Sequence, residues 1–137
     1  MIRRFFGAIL LLIPVSAAGV MAQANSPEIN CSTAPLLKRP SGRHIISIGV
    51  VNGKALELVK PKYPAAARSV GAFGTVEVQI LIDSRGCVNE AKATSGHPLL
   101  RAESIKAAEK SRFSPTTLSH HPIWVYGMIL YHYRQPK

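Results

Sequence analysis

Hydrophobic and polar positions alternate most regularly between Thr75 and Asp83, where Val76, Val78, Ile80 and Ile82 are separated by Thr75, Glu77, Gln79 and Leu81. A period of two sends successive side chains to opposite faces, so this run predicts a strand with one buried face. Asp83-Ser84-Arg85-Gly86 then offers a hairpin turn with glycine where positive φ is needed, and Cys87 to Thr94 returns as the partner strand. Upstream, His44 to Val51 carries the run I-I-S-I-G-V-V, a first strand ended by the turn signal Asn52-Gly53. Lys54 to Lys62 is expected to be extended, because Lys60 and Tyr63 each precede a proline.

Two segments carry helical signals instead. Pro64 suits a first helical turn, and Ala65 to Val70 has good propensity up to Gly71, giving a helix of about two turns. Pro98 opens a second helix reaching about Arg112, with Leu99, Ala102, Ile105 and Ala108 as the expected apolar stripe opposite Arg101, Glu103, Lys106 and Lys110. Phe113 ends the stripe, Pro115 stops the helix, Thr116 to Pro122 reads as a polar loop, and Ile123 to Tyr133 as a long final strand rich in β-formers. The predicted order is β-α-β-β-α-β. This is an α+β domain over residues 44–137, a small antiparallel sheet with two helices on one face.

The first 43 residues read differently. Arg3 and Arg4 precede an apolar run from Phe5 to Ala22 and then small residues, the order of a secretory signal, so residues 1–24 are expected to be a cleaved leader or a short N-terminal anchor. Either places the rest outside the cytoplasm. Residues 25–43, rich in Ser, Pro, Asn and basic side chains, are expected to be a flexible tail. Removing 1–24 from the 137 residues leaves 113, enough for one modest core.

The formal charge of +10 rests on 17 Lys and Arg against 7 Asp and Glu. In an exported protein, with cations scattered rather than interleaved with aromatics, this excludes nucleic acid as the expected partner. Acidic surfaces such as lipid headgroups or cell-wall polymers fit better, and a solvated basic surface better still. Cys31 and Cys87 lie in a compartment that permits disulfides, and both a bridge and two unpaired thiols stay open on sequence grounds.

The side chains hold no catalytic constellation. His120 and His121 are adjacent in a loop without a carboxylate or thiolate at ligand spacing, so no metal site is expected. His97 stands at a helix start with no acid to orient it, which argues against a nucleophile-base pair with Ser95. No phosphate-cradling glycine loop or cofactor motif occurs, and an enzyme is not expected. The distinctive segment is the last strand, where Trp124, Tyr126, Met128, Leu130 and His132 line one side and Ile123, Val125, Ile129, Tyr131 and Tyr133 the other. Its middle lacks the charge or proline that blunts an edge. Strand addition by a peptide, a homodimer contact and a covered central strand all stay open.

The run K-P-K-Y-P-A-A-A-R, then G-T-V-E-V-Q-I-L-I-D-x-x-G-x-V, then A-x-x-S-G-H-P-L-L, then A-A-E-K-S-R-F-S-P and an aromatic closing strand resembles the TonB C-terminal domain over about residues 45–133. The resemblance implies a periplasmic domain that grips an extended segment of an outer-membrane TonB-dependent receptor in energy-dependent transport. It places the added strand beside Ile123, Trp124, Val125, Tyr126, Gly127, Met128, Ile129, Leu130 and Tyr131, with Lys60, Pro61, Lys62 and Tyr63 as a second contact. A proline at Val125 or Ile129 would then remove a backbone donor of the closing strand, and lost binding should follow. The resemblance also implies force from an inner-membrane proton-channel complex or a separate transducer, although residues 25–43 fully extended reach only about 60 to 70 Å, too short to cross a typical periplasm. The alternative is an exported adaptor that binds cell wall or dimerises through its last strand.

Overall fold

The computed structural model describes residues 31, 33, 35–41, 45–135 and 137. The expected leader at 1–24, and part of the expected tail, lie outside the described residues. Among the described residues no helix is long and apolar enough to cross a membrane.

The architecture is α+β. Strand β1 (Ile45–Val50) passes through a 3-10 turn at Asn52–Lys54 into the short β2 (Ala55–Glu57) and helix α1 (Ala65–Ser69). The hairpin β3 (Gly74–Ile82) and β4 (Val88–Ser95) follows, then helix α2 (Pro98–Lys110), β5 (Arg112–Phe113), β6 (Thr116–Leu118) and β7 (His121–Tyr133). The main sheet runs β1-β7-β3-β4, with β6 also paired to β7, and β2 pairs β5 in a separate two-stranded ribbon. The predicted helices and long strands are all present, and β2, β5 and β6 are additions to them.

The hairpin forms where the alternation places it. Asp83 is buried, and its Oδ1 accepts hydrogen bonds from the backbone N–H groups of Arg85 and Cys87 at 2.9 and 3.0 Å, while Oδ2 takes the Arg85 guanidinium at 2.8 Å. Gly86 has φ +89°, and a Cβ there would lie 2.0 Å from the carbonyl oxygen of Phe113. Only glycine fits both constraints.

Three expectations require correction. The sheet is mixed rather than antiparallel, because β1 pairs parallel to β7, Ile45 beside Trp124 and Val50 beside Met128. Almost the whole domain separates these two strands in sequence, so no hairpin dictates their relative direction. The stripe of α2 that meets the sheet is Leu100, Ser104, Ala107 and Ala108, whereas Leu99 and Ala102 are exposed. A stripe stepped by three at every position falls behind the helix by about 60° per step, so it walks off the face it started on. Finally, Thr116 to Pro122 is no open loop: β6 folds back on His121–Ile123 through Ser119 and His120, both at positive φ. Neither residue is the glycine that normally signals such a turn.

One core fills the space between the sheet and α2, built from Val76, Val78, Ile80 and Ile82 of β3, Ile129, Tyr131 and Tyr133 of β7, and Leu100, Ala107 and Ala108. Ser104 is tolerated there because its hydroxyl donates to Leu100 O and meets Tyr133 Oη, both at 2.8 Å. Leu81, Cys87 and Trp124 are buried apart from this cluster, on the second face of the sheet.

A short N-terminal strap accompanies that second face. Cys31 and Cys87 form a disulfide, with Cα atoms 5.4 Å apart across 56 residues of sequence. Arg85 donates to Pro35 O and Asn89 to Leu37 O, each at 3.0 Å, and the Arg39 guanidinium lies 5.6 Å from the centre of the Tyr126 ring. Residues 35–41, expected as part of a flexible tail, are therefore fastened to the hairpin at Pro35 and Leu37 and to β7 at Arg39.

A candidate partner-binding groove

The Lys60–Tyr63 corner is built by its prolines. Each forces the preceding residue into extended torsions, and Pro64 caps α1 with φ −64° and ψ 143°. Tyr63 then turns inward. Its hydroxyl donates to the Ala72 carbonyl, its ring meets Tyr133 edge-on at 5.7 Å, and the Arg68 guanidinium lies 5.8 Å from its centre. This clamp holds the corner against the far end of β7.

Between them lies an open groove of about 520 Å³, lined by Lys60, Pro61, Tyr63 and the run Leu130 to Arg134. The floor is the end of a strand whose neighbour has stopped. β1 accompanies β7 only as far as Met128, whose carbonyl accepts from Val51 N–H at 2.9 Å. Val51 seats there because Gly127 has no side chain; a Cβ would come within 2.6 Å of Val51 Cγ1.

Beyond Val51 a side chain continues the ladder. Asn52 Nδ2 donates to Leu130 O at 2.8 Å, and Leu130 N–H donates to Asn52 Oδ1 at 3.0 Å. Backbone groups in a strand alternate sides, so His132 N–H and C=O point the same way as those of Leu130. Among the described residues no strand covers them there. The His132 ring is held by Thr75 Oγ1 at 2.9 Å.

The sequence-expected residues divide accordingly. Lys60, Pro61, Tyr63, Leu130 and Tyr131 come together in the groove, and Lys62 lies across the corner beside α2. Ile123 pairs with Thr116, and Trp124 to Met128 run beside β1, so that edge is already filled. Val125 and Ile129 are fully buried core residues. Asn52, His132, Tyr133 and Arg134 belong to the groove without having been singled out. Asn52 reads in sequence only as a turn residue, and no local signal tells that its amide reaches a strand 78 positions away.

Burial pushes the Tyr133 phenol above its ordinary range, although the Ser104 hydroxyl opposes the shift. Tyr131 is pushed up for the same reason. Its hydroxyl lacks a well-formed hydrogen bond among the described residues, with the Ser111 hydroxyl the polar group beside it. No three His, Cys, Asp or Glu side chains among the described residues gather so as to hold a metal ion.

A family model described as the Gram-negative bacterial TonB protein C-terminal matches residues 59–134, more than half of the chain. The solution structure of the Pseudomonas aeruginosa TonB C-terminal domain is similar in fold, with a TM-score of 0.52 at 22% identity over 65% of this chain and 94% of that one. No curated protein matches the chain. The matched span includes both walls of the groove, from Lys60 to Arg134.

Proposed function

Because the chain belongs to the Gram-negative bacterial TonB C-terminal family, we propose that it binds an extended segment of an outer-membrane receptor by strand addition along β7, within TonB-dependent transport across the envelope. The family consists of periplasmic interaction domains, not enzymes, and the exposed chemistry here is backbone and aromatic rather than catalytic. The arriving segment meets β7 in the groove, takes the outward N–H and C=O of His132, and competes with Asn52 for Leu130. Further growth along Met128 to Trp124 displaces β1.

The carrying observation is the open end of β7 facing the Lys60–Tyr63 corner, which sets strand groups that no described strand covers beside a proline-built wall. Main-chain hydrogen bonds supply affinity in such additions, and side-chain pockets supply selection. β1 is a suitable strand to displace. It is parallel, its register breaks between Ser47 and Val50, and Ile46 and Val50 remain largely exposed.

The test is fluorescence polarisation with a labelled peptide copied from the extended segment of a TonB-dependent receptor. His132→Pro removes the outward donor without entering the β3 ladder and should weaken binding at least about tenfold, whereas His132→Ala should bind nearly as the parent does. Unchanged affinity in a folded His132→Pro protein rejects strand addition at this edge.

A further inference from the structure

The edge of β7 that an arriving strand would use already has an occupant from the same chain. Asn52 holds both backbone groups of Leu130, and Val51 donates to Met128 O, so by alternation the outward groups of Trp124 and Tyr126 face β1. Ile46 stands opposite Val125, whose own groups turn to β3. In a parallel ladder that leaves Ile46 bonded to Trp124 and Tyr126.

This occupant is held at its ends rather than along its length. No residue of β1 is buried, and Ile48 packs against the core only in part. The ladder breaks between Ser47 and Val50, where Gly49 takes φ +71°. Leaving β7 would uncover little apolar surface, and an incoming strand would restore the lost backbone bonds. The two ends differ. After β1, Val51 is buried against Gly127 and Asn52 is pinned to Leu130. Ahead of β1, Cys31 is bonded to Cys87, and the strap between rests on hydrogen bonds at Pro35 and Leu37 and on the contact of Arg39 with Tyr126. Those contacts are individually weak, so the covalent bond is the main fastening.

We propose that β1 is a built-in competitor for the partner-binding edge of β7, kept there by the Cys31–Cys87 bridge. The inference rests on the strand-addition reading and adds the regulation of that site. With the bridge intact, a segment tied at both ends presents itself to β7 at high effective concentration. A partner then gains the groove beyond Met128 but meets β1 along Trp124 to Met128. With the bridge broken, Val51 and Asn52 are the firm attachment that remains, and β1 peels from its N-terminal end. Apparent affinity rises with the fraction of molecules whose edge is open.

The experiment compares binding of the labelled receptor peptide, by fluorescence polarisation, among the oxidised parent, Ile46→Pro, Cys31→Ser and the combined variant. Ile46→Pro removes a β1 donor to the edge and should tighten binding about tenfold, and Cys31→Ser should tighten it about fivefold. Both act by vacating one edge, so the combined variant should bind about as Ile46→Pro does rather than about fiftyfold tighter than the parent. Dithiothreitol, which takes the bridge to two thiols as it closes to its own cyclic disulfide, should reproduce the Cys31→Ser result in the parent. Backbone amide exchange checks that each variant is folded. The Trp124 and Tyr126 amides should exchange faster, Val125 and Ile129, facing β3, should stay protected, and the peptide should restore protection at Tyr126. Unchanged affinity in every variant, with binding still weakened in His132→Pro, would overturn the competitor and leave strand addition standing. Weaker binding in Ile46→Pro, with the β3-facing amides protected, would mean that β1 supports the peptide site and would also overturn it. Tightening in Ile46→Pro but not in Cys31→Ser would overturn the part given to the bridge. Absence of peptide binding in every protein would remove both readings.

Discussion

The side-chain amide of Asn52 holds both backbone groups of Leu130, donating to its carbonyl at 2.8 Å and accepting from its N–H at 3.0 Å. An asparagine amide carries one donor side and one acceptor side, so it can imitate one residue of a neighbouring strand. It does so at the point where β1 leaves β7, closing the ladder with a group far easier to displace than a paired strand. Asn52→Ala should therefore lower stability by about 1 to 2 kcal/mol. It should also tighten binding of the receptor peptide severalfold by removing a competitor for Leu130. Chemical denaturation and peptide titration of the same variant check both; weakened binding would mean that the amide contacts the partner instead.

The Cys31–Cys87 bridge gives a second expectation. It closes a loop of 56 residues in sequence separation, which in the chain-entropy description contributes about 4 kcal/mol. The strap fastened at Pro35, Leu37 and Arg39 also depends on this anchor. Reduction should lower Tm by roughly 10 to 20 °C. It should also release Arg39 from Tyr126, which Tyr fluorescence or nuclear magnetic resonance shifts can follow. A Tm unchanged by reductant would mean that the bridge does not constrain the domain.

The turn at Asp83 is equally specific. Its carboxylate is buried and takes four hydrogen bonds, two from backbone N–H groups and two from the Arg85 side chain. Asp83→Ala leaves those buried donors without an acceptor and should cost about 2 to 4 kcal/mol. Arg85→Ala, on the partly exposed side of the pair, should cost clearly less. Equal losses in urea unfolding would contradict this division.

Much of this arrangement could be read from local pattern. Period-two alternation located β3 and its buried face, proline placed both helix starts, and the aromatic run marked β7. The residues that make the groove were harder to see. Alternation shows that a strand has two faces but not which backbone groups face an occupied edge. Val125 and Ile129 look suitable for proline tests of an added strand, yet they lie in the buried core, and their backbone groups point toward β3. Proline there would break the central ladder. The parallel pairing of β1, and the reach of Asn52 to Leu130, depend on contacts between distant parts of the chain that leave no local periodicity. The stripe of α2 was misplaced for a related reason. Ser104 lies within it, and a buried serine shows its place only once Tyr133 and the Leu100 carbonyl are seen to satisfy it.

Two tyrosines near the groove separate a satisfied phenol from an unsatisfied one. Tyr133 Oη meets Ser104, whereas the buried Tyr131 Oη finds no well-formed bond among the described residues. Removing an unpaired hydroxyl relieves a desolvation penalty, while removing a paired one loses a bond and strands its partner. Tyr131→Phe should thus leave stability at neutral pH unchanged or raise it by up to about 1 kcal/mol, and Tyr133→Phe should lower it by about 1 kcal/mol. The pH dependence follows from the same burial. Both phenols are raised above their ordinary value of 10.0, so the folded state favours their neutral form. That contribution is fully present below pH 10 and is lost as pH rises through the folded-state values. Unfolding measured between pH 8 and 11 should therefore show an alkaline loss in the parent that is smaller in Tyr131→Phe. Parallel pH profiles for the two proteins would show that Tyr131 ionisation does not contribute to the alkaline loss.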